Sequence, residues 1–224
     1  MNGPLLSLIN GLGSGKWLDV LVNLVVIVVL LLIAFPVHEF AHAFVATKLG
    51  DDTPRYMGRL TLNPLAHLDL YGTILFLLAG FGWAKPVQVN TNRLNPVGGS
   101  RTISMAIVAL AGPVSNVLLA LIFSVLYRIC APLTTSSFLM VVLAYAFSTA
   151  VFLNLLLAVF NLIPIPPLDG SKILAAVLPD SASQVLDQIQ QYGFIILIVL
   201  SISGVLNRII IGPAIALQRL LLGN

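Results

Sequence analysis

Long uninterrupted runs of apolar residues alternate along this chain with short polar segments that are rich in proline and glycine. A helix needs about 20 apolar residues to cross the hydrocarbon core of a membrane. The pattern predicts membrane-spanning helices at residues 17–34, 102–129, 138–162 and, in a shorter run, 192–206. Residues 71–81 are too short to span and are predicted to be re-entrant or interfacial. Residues 209–222 are expected to lie at the interface or to complete a half-span.

One polar segment between the first two runs has a different periodicity. Residues 58–63 alternate polar and apolar side chains, which is typical of a short strand. We therefore predict an all-α polytopic membrane protein with about four to six transmembrane segments and a short re-entrant or β element after the first core span. In this interpretation residues 1–16 are a leader, and residues 17–224 form a single transmembrane domain.

The composition supports the membrane class and excludes several others. Hydrophobic residues make up 58% of the chain and charged residues only 8%, which is not the composition of a soluble domain. The formal net charge of +3 comes without a basic tract, so nucleic-acid binding has no support. Cys130 is the only cysteine, which excludes an intrachain disulfide and a cysteine-based zinc site.

The most informative polar motif is H-E-x-x-H at residues 38–42, directly after the first apolar run. On a helix, His38 and His42 share one face, so both imidazoles can reach one metal ion. Glu39, the only glutamate in the chain, then lies beside the metal, where it can take a proton from water. Polar groups next to a bilayer-length apolar run are costly, which favours a metal site over a polar cluster at a helix end.

A catalytic zinc site takes three protein ligands and keeps one position open, so a third ligand is needed. The chain has no second glutamate, and Lys48 stands where a third histidine would follow the motif by six residues. His67 and the aspartates remain. Asp169 is favoured, because an ionised carboxylate at the membrane end of the third run is hard to explain without a cation, and Gly170 lets the chain turn it inward. A simple Asp169–Gly170 turn that caps the next helix is the open alternative.

Several motifs together resemble the site-2 protease family of intramembrane zinc metalloproteases. The H-E-x-x-H motif is combined with N-x-x-P at residues 161–164 and L-D-G at residues 168–170. The A-G-P-V-S-N segment at residues 111–116 is similar to the G-x-x-x-N motif of that family, and residues 62–73 are similar to its segment after the first core span. The chain resembles the compact prokaryotic form, which has no PDZ or CBS domain.

This resemblance implies a zinc metalloendopeptidase with one zinc ion per chain and a transmembrane protein substrate in the lipid bilayer. It implies hydrolysis of a peptide bond in or near a transmembrane segment, as in regulated intramembrane proteolysis. The implied site residues are the metal ligands His38, His42 and Asp169, the general base Glu39, and the substrate-binding residues Asn116 and Asn161. Interhelical hydrogen bonding is the alternative role for the two asparagines. His67 is expected to be a structural hydrogen-bonding group.

Two other functions compete with this interpretation. A membrane zinc peptidase of another kind is disfavoured, because the usual ligand set includes a second glutamate. A zinc or proton transporter would use the same residues for transit, but transporters commonly contain internal repeats, and none is visible here. Proteolysis that is lost in Glu39→Gln would distinguish a peptidase from a transporter.

The distribution of lysine and arginine predicts the orientation in the cell membrane. Six of the 11 lie between Lys48 and Arg101, and Lys172 falls on the same side if the four predicted spans cross. The other four lie on the opposite side: Lys16, Arg128, Arg208 and Arg219. The excess of positive charge on cytoplasmic loops places the residue 48–101 loop in the cytoplasm. The proposed site then lies near the cytoplasmic side of a multi-pass protein.

Overall fold

The computed structural model describes residues 4–15, 17–79, 82–135, 137–179, 182, 186 and 188–223. Helices joined by turns make up most of this part of the chain. In chain order they are α1 (Pro4–Ser14), α2 (Trp17–Ile27), a π-helical segment (Val28–Ala34), α3 (Phe35–Lys48), α4 (Thr53–Tyr56), α5 (Pro64–His67), α6 (Leu70–Ala79), α7 (Arg101–Cys130), α8 (Phe138–Asn161), α9 (Asp169–Ala175), α10 (Gly193–Ile202) and α11 (Val205–Leu222).

Among the described residues, four helical stretches are long and apolar enough to cross a membrane: Val20–Lys48, Arg101–Leu133, Phe138–Asn161 and Val205–Leu222. The prediction of an all-α polytopic membrane protein is therefore confirmed. The first three stretches agree with the apolar runs of the sequence. The first one continues through the H-E-x-x-H motif to Lys48, because the polar side chains of the motif do not interrupt the helical backbone.

The fourth long helix does not lie where the sequence pattern places it, so the span predicted over residues 192–206 is wrong. Helix α10 has only 10 residues and ends at Ile202. Gly204 then adopts a φ of +75°, a left-handed conformation that glycine takes without strain and that ends a helix. The following helix α11 has 18 residues and is the fourth long apolar helix, whereas the sequence predicts an interfacial or half-spanning segment there.

The strand predicted over residues 58–63 is not confirmed. These residues form turns and bends, and β pairing in the described part of the chain is limited to isolated bridges, one of which joins Leu68 to Ala84. Local hydrogen bonds compete with extended pairing here, because Thr61 Oγ1 accepts from the backbone N–H of Asn63, and Asn63 in turn caps α5. Helix α6 has 10 residues, in agreement with an apolar segment too short to span.

A π-helical segment, Val28–Ala34, lies immediately before the H-E-x-x-H motif. Pro36 stands in the first turn of α3, where its missing N–H and its ring prevent the regular hydrogen bond to the preceding turn. Widened helical turns are common where a proline disturbs this pattern and are frequent at functional sites. The widened turns lie just before Pro36, in the part of the helix whose hydrogen bonds the proline disturbs.

Helix α8 packs against the π-helical segment, α7 and α11. Its residues Ala150 and Leu153 pack against the π-helical segment in one buried cluster. On another face, Val151 and Leu155 pack with Ala120 of α7 and with Leu222 of α11. Small residues such as Ala120 and Ala150 allow the helix backbones to approach closely, which is how helices associate in a membrane. Helix α7 also packs against α3 and α9, and the candidate site lies between these three helices.

Candidate metal centre

The two histidines of the motif face each other across one turn of α3. His38 and His42 are buried, with 6% and 8% of their surfaces exposed. Their Nε2 atoms are 3.0 Å apart. The i, i+4 spacing on a helix accounts for this geometry, because it puts both side chains on one face. The structure therefore brings the two imidazoles together as the sequence predicts.

Asp169 completes a triangle with the two histidines. Its Oδ2 atom lies 3.3 Å from His38 Nε2 and 3.2 Å from His42 Nε2. Asp169 is the first residue of α9, and the preceding Leu168 is the N-cap, without a side-chain capping bond. The carboxylate thus faces the imidazoles instead of capping the helix. Burial alone would raise the pKa of Asp169, but the two facing imidazoles hold it well below its usual range.

The geometry of this triangle fits a zinc ion. Bonds of about 2.0–2.1 Å in a tetrahedron place neighbouring ligand atoms about 3.3 Å apart. The three atoms His38 Nε2, His42 Nε2 and Asp169 Oδ2 are separated by 3.0, 3.3 and 3.2 Å. Asp169 Oδ2 is buried and has no hydrogen-bond partner among the described residues. A shared cation would satisfy all three groups at once, and they are the one such group of possible ligands in the described part of the chain.

The other ring nitrogen of His42 is held by helix α7. His42 Nδ1 donates a hydrogen bond to the backbone carbonyl of Val108, at 2.8 Å. This bond fixes the tautomer that leaves Nε2 free to bind a metal and orients the ring. Val108 therefore orients a candidate ligand without being a ligand itself. Nothing in the sequence pattern distinguishes it from its apolar neighbours.

Gly112 gives the two imidazoles the space that they occupy. A Cβ atom built on Gly112 would lie 2.6 Å from His38 Nε2 and closer still to Nε2 of His42. Contacts under 3.0 Å force a neighbour to move, and here the neighbours include the two candidate metal-ligand nitrogens. The sequence singles out Gly112 as part of a motif, but only the structure gives this reason for a glycine.

We expect Gly112→Ala to lower the affinity for zinc by about 10- to 100-fold, because the added methyl group displaces both ligand nitrogens. Zinc titration of the purified protein measures this. Gly212→Ala is the matched control, since Gly212 also precedes a proline inside a long helix and has open space around its Cβ position. Equal zinc affinity in Gly112→Ala and the wild type would contradict the prediction.

Gly170 positions Asp169 by allowing close approach of two backbones. A Cβ atom at Gly170 would lie 2.5 Å from the carbonyl oxygen of Ile163 and closer to that of Leu162. The first turn of α9 can therefore rest on the end of α8 only with a glycine at this position. The sequence-based reason, that Gly170 permits a turn, is corrected: its φ is not positive, and it lies in the helix.

The carboxylate of Glu39 is held by a backbone group of the segment that precedes α7. Its Oε2 atom accepts a hydrogen bond from the backbone N–H of Val87, at 2.9 Å. Glu39 is half-buried and directly follows His38 in α3. One oxygen of the carboxylate is thus fixed next to the histidine pair. Sequence reasoning identifies Glu39 but gives no signal for Val87.

The two candidate substrate-binding asparagines have different surroundings. Asn116 is fully buried on α7, and neither its Nδ2 nor its Oδ1 has a hydrogen-bond partner among the described residues. Asn116 follows Gly112 by one helical turn. Because helical side chains lean toward the preceding turn, its side chain is expected to lie beside Gly112 on the same face of α7. Asn161, at the end of α8, donates through Nδ2 to the carbonyl of Leu157.

His67 lies outside the triangle of ligand atoms. It is fully buried, and its Nε2 donates to the carbonyl of Thr61 at 2.7 Å. This contact ties together the turn that precedes α6. The structure thus gives His67 the hydrogen-bonding surroundings of a structural residue.

Comparison with known proteins connects this site to a family. The sequence profile of Peptidase family M50 matches residues 26–139 and 129–203. The chain is 42% identical over 179 residues to the Bacillus subtilis protein named "Putative zinc metalloprotease YwhC", an alignment that covers 79% of this chain and 80% of that protein. It is 34% identical over 186 residues to "Putative zinc metalloprotease Rip2" of Mycolicibacterium smegmatis, which covers 79% of this chain and 66% of that protein.

A more distant relative comes from an archaeon. The Methanocaldococcus jannaschii protein named "Putative zinc metalloprotease MJ0611" is 34% identical over 145 residues, which is 62% of this chain and 64% of that protein. No solved structure gives a significant match. The profile match extends over more than half of the chain and includes the motif, Gly112 and Asp169. The resemblance to site-2 proteases is thereby confirmed, and the chain belongs to Peptidase family M50.

Proposed function

We propose that the chain is an intramembrane zinc endopeptidase that hydrolyses a peptide bond in or near a transmembrane segment of a membrane-protein substrate. The observation that carries this proposal is the buried triangle of His38, His42 and Asp169, whose edges match those of a zinc site. The site lies within a bundle that has four long apolar helices. The names of the relatives, each of which contains the words "zinc metalloprotease", support the same chemistry.

The residues of the site have two roles in peptide hydrolysis, metal binding and general-base catalysis. A zinc ion held by His38, His42 and Asp169 would supply a Lewis acid that acidifies water and polarises a carbonyl group. Glu39 acts as general base: its carboxylate accepts a proton from the attacking water and can return it to the leaving amine. Glu39 suits this role because one of its oxygens is bound to Val87, which leaves the other to receive the proton.

Asn116 is assigned to the substrate. A fully buried amide without a partner is unfavourable, so Asn116 is expected to hydrogen-bond to a group that enters the site. Its Nδ2 group can donate to the carbonyl oxygen of the scissile peptide, where negative charge develops during attack. Asn161 has already committed Nδ2 to Leu157, and its Oδ1 atom can accept an N–H of the substrate backbone.

The substrate has to expose its peptide group before it can react. In a transmembrane helix every backbone N–H and C=O is bonded within the helix, which shields the carbonyl carbon from attack. The metal-ligand side chains are buried, so a rigid helix cannot approach them side-on. We infer that the substrate segment unwinds locally and enters the site in an extended conformation. Cleavage of a co-reconstituted single-span substrate by the wild type and by Glu39→Gln tests the proposed function.

The revised position of the fourth long helix supports an active site near the cytoplasmic side. If α11 crosses the membrane, Arg208 near its start joins Lys172 and the six basic residues of the residue 48–101 loop on one side. That gives eight basic residues on this side and three on the other, which together are the 11 of the chain. The positive-inside rule assigns the larger group to the cytoplasm of a cell-membrane protein.

A labelling experiment tests this orientation. In a Cys130→Ala background, Asn92→Cys places a thiol on the exposed surface of the residue 48–101 loop. We expect it to be protected from membrane-impermeant reagents added outside intact cells. Thr135→Cys, exposed in the turn between α7 and α8, is the matched control and should be labelled from outside. Labelling of Asn92→Cys alone from outside would reverse the assignment.

A further inference from the structure

A segment without helical structure passes beside the proposed general base. Residues 84–90, here called the strap, are held by hydrogen bonds from three of their backbone N–H groups. Lys85 donates to the carbonyl of His67 at 2.8 Å, and Val87 donates to Glu39 Oε2 at 2.9 Å. At the far end, Asn90 donates to Asp51 Oδ2 at 2.6 Å. The bond to Glu39 is therefore the middle one of three.

The two outer attachments are rigid. Asp51 is fully buried, and its other oxygen accepts a bond from the N–H of Thr53 at 3.0 Å, so its carboxylate is fixed at the end of α3. His67 is also fully buried and is fixed by its own bond to Thr61. The strap is consequently anchored on both sides of Val87 by groups that take no part in the proposed metal site.

This arrangement indicates that, in the hydrogen bond between Val87 and Glu39, the Val87 N–H fixes the Glu39 carboxylate and not the reverse. The strap is attached at Lys85 and at Asn90 without any help from Glu39. A glutamate side chain has several rotatable bonds, and Glu39 is only half-buried, so packing alone does not fix its carboxylate. The Val87 N–H is a donor in a fixed position, and the carboxylate is the mobile group that it captures.

We propose that the Val87 N–H orients the general base Glu39, and that Asp51 is a positioning residue because it anchors the strap that presents this N–H. The inference rests on the proposed function, since it assumes that Glu39 accepts the proton. A donor on one carboxylate oxygen leaves the other directed at the attacking water. Positioning of this kind affects the rate steeply, because a displacement of about 1 Å can lower it by roughly 10²-fold.

An amide-to-ester exchange at Val87 tests the proposal, because it replaces the N–H by oxygen and keeps the side chain. We expect kcat for a co-reconstituted single-span substrate to fall by about 10- to 10²-fold, with KM and zinc content unchanged. The matched control is the same exchange at Gln88, the next residue of the strap, whose N–H donates to neither Glu39 nor Asp51. It should stay within about twofold of the wild type.

Hydrogen exchange of the strap gives a readout that does not depend on activity. Glu39→Ala removes the acceptor, so the Val87 amide should exchange faster, whereas the Asn90 amide, held by Asp51, should not change. Loss of zinc in the Val87 ester, an unchanged kcat, or an unchanged Val87 exchange rate in Glu39→Ala would each overturn the positioning role.

Glu39→Gln is assayed in parallel to separate this inference from the proposed function. If Glu39→Gln still cleaves the substrate, the proposed function itself fails. If Glu39→Gln is inactive and the Val87 ester is fully active, only the positioning role of the strap is refuted.

Discussion

Replacing Glu39 by glutamine is expected to reduce peptide hydrolysis by about 10²-fold or more, because general-base catalysis contributes at least that much. Zinc should remain bound, since the three candidate ligand atoms belong to His38, His42 and Asp169 and not to Glu39. The amide oxygen of glutamine can still accept the N–H of Val87, so the local structure should persist. The variant therefore removes the base and little else.

The measurement is cleavage of a co-reconstituted single-span substrate, with zinc content determined on the same preparation. Glu39→Asp is a useful companion, because its shorter side chain draws the carboxylate back from both the attacking water and Val87, and it should also be a poor enzyme. Full cleavage by Glu39→Gln with normal zinc would show that hydrolysis does not depend on Glu39 and would remove the proposed general-base mechanism.

The parts of the site that were predictable from the sequence depend on local geometry. His38 and His42 share a face because of the period of the α-helix, so four residues of spacing predict their contact without any knowledge of the fold. Asp169 is 127 residues beyond His42 in the chain, and its chemistry alone left a capping role open. The family resemblance made the choice between the two roles, and the structure places the Asp169 carboxylate against both imidazoles.

The parts that were not predictable depend on contacts between distant elements. Val87 and Val108 contact Glu39 and His42 through backbone groups, an N–H and a carbonyl, so their side chains give no sign of these contacts. The end of helix α10 was missed for a related reason. Hydropathy is continuous through residues 192–206, whereas the helix stops because Gly204 adopts a left-handed conformation that an apolar pattern does not reveal.

Removing the carboxylate of Asp169 is expected to abolish stoichiometric zinc binding. Asp169→Ala leaves two ligands where a catalytic zinc site needs three, and it leaves the two imidazoles without the negative charge that faces them. Loss of a direct ligand should exceed the about 10- to 100-fold loss of affinity that follows changes in supporting residues. Metal analysis of the purified variant measures the zinc content directly.

His67→Ala is the matched control, because His67 is another buried potential ligand that lies outside the triangle. It should keep one zinc per chain, although losing the bond to Thr61 is expected to lower stability by about 1 kcal/mol. Thermal unfolding separates the two effects: added zinc stabilises a protein that binds it in the folded state, so it should raise the melting temperature of His67→Ala but not that of Asp169→Ala. If His67→Ala lost zinc while Asp169→Ala kept it, His67 would replace Asp169 as the third ligand beside His38 and His42, and the assignment of Asp169 would be wrong.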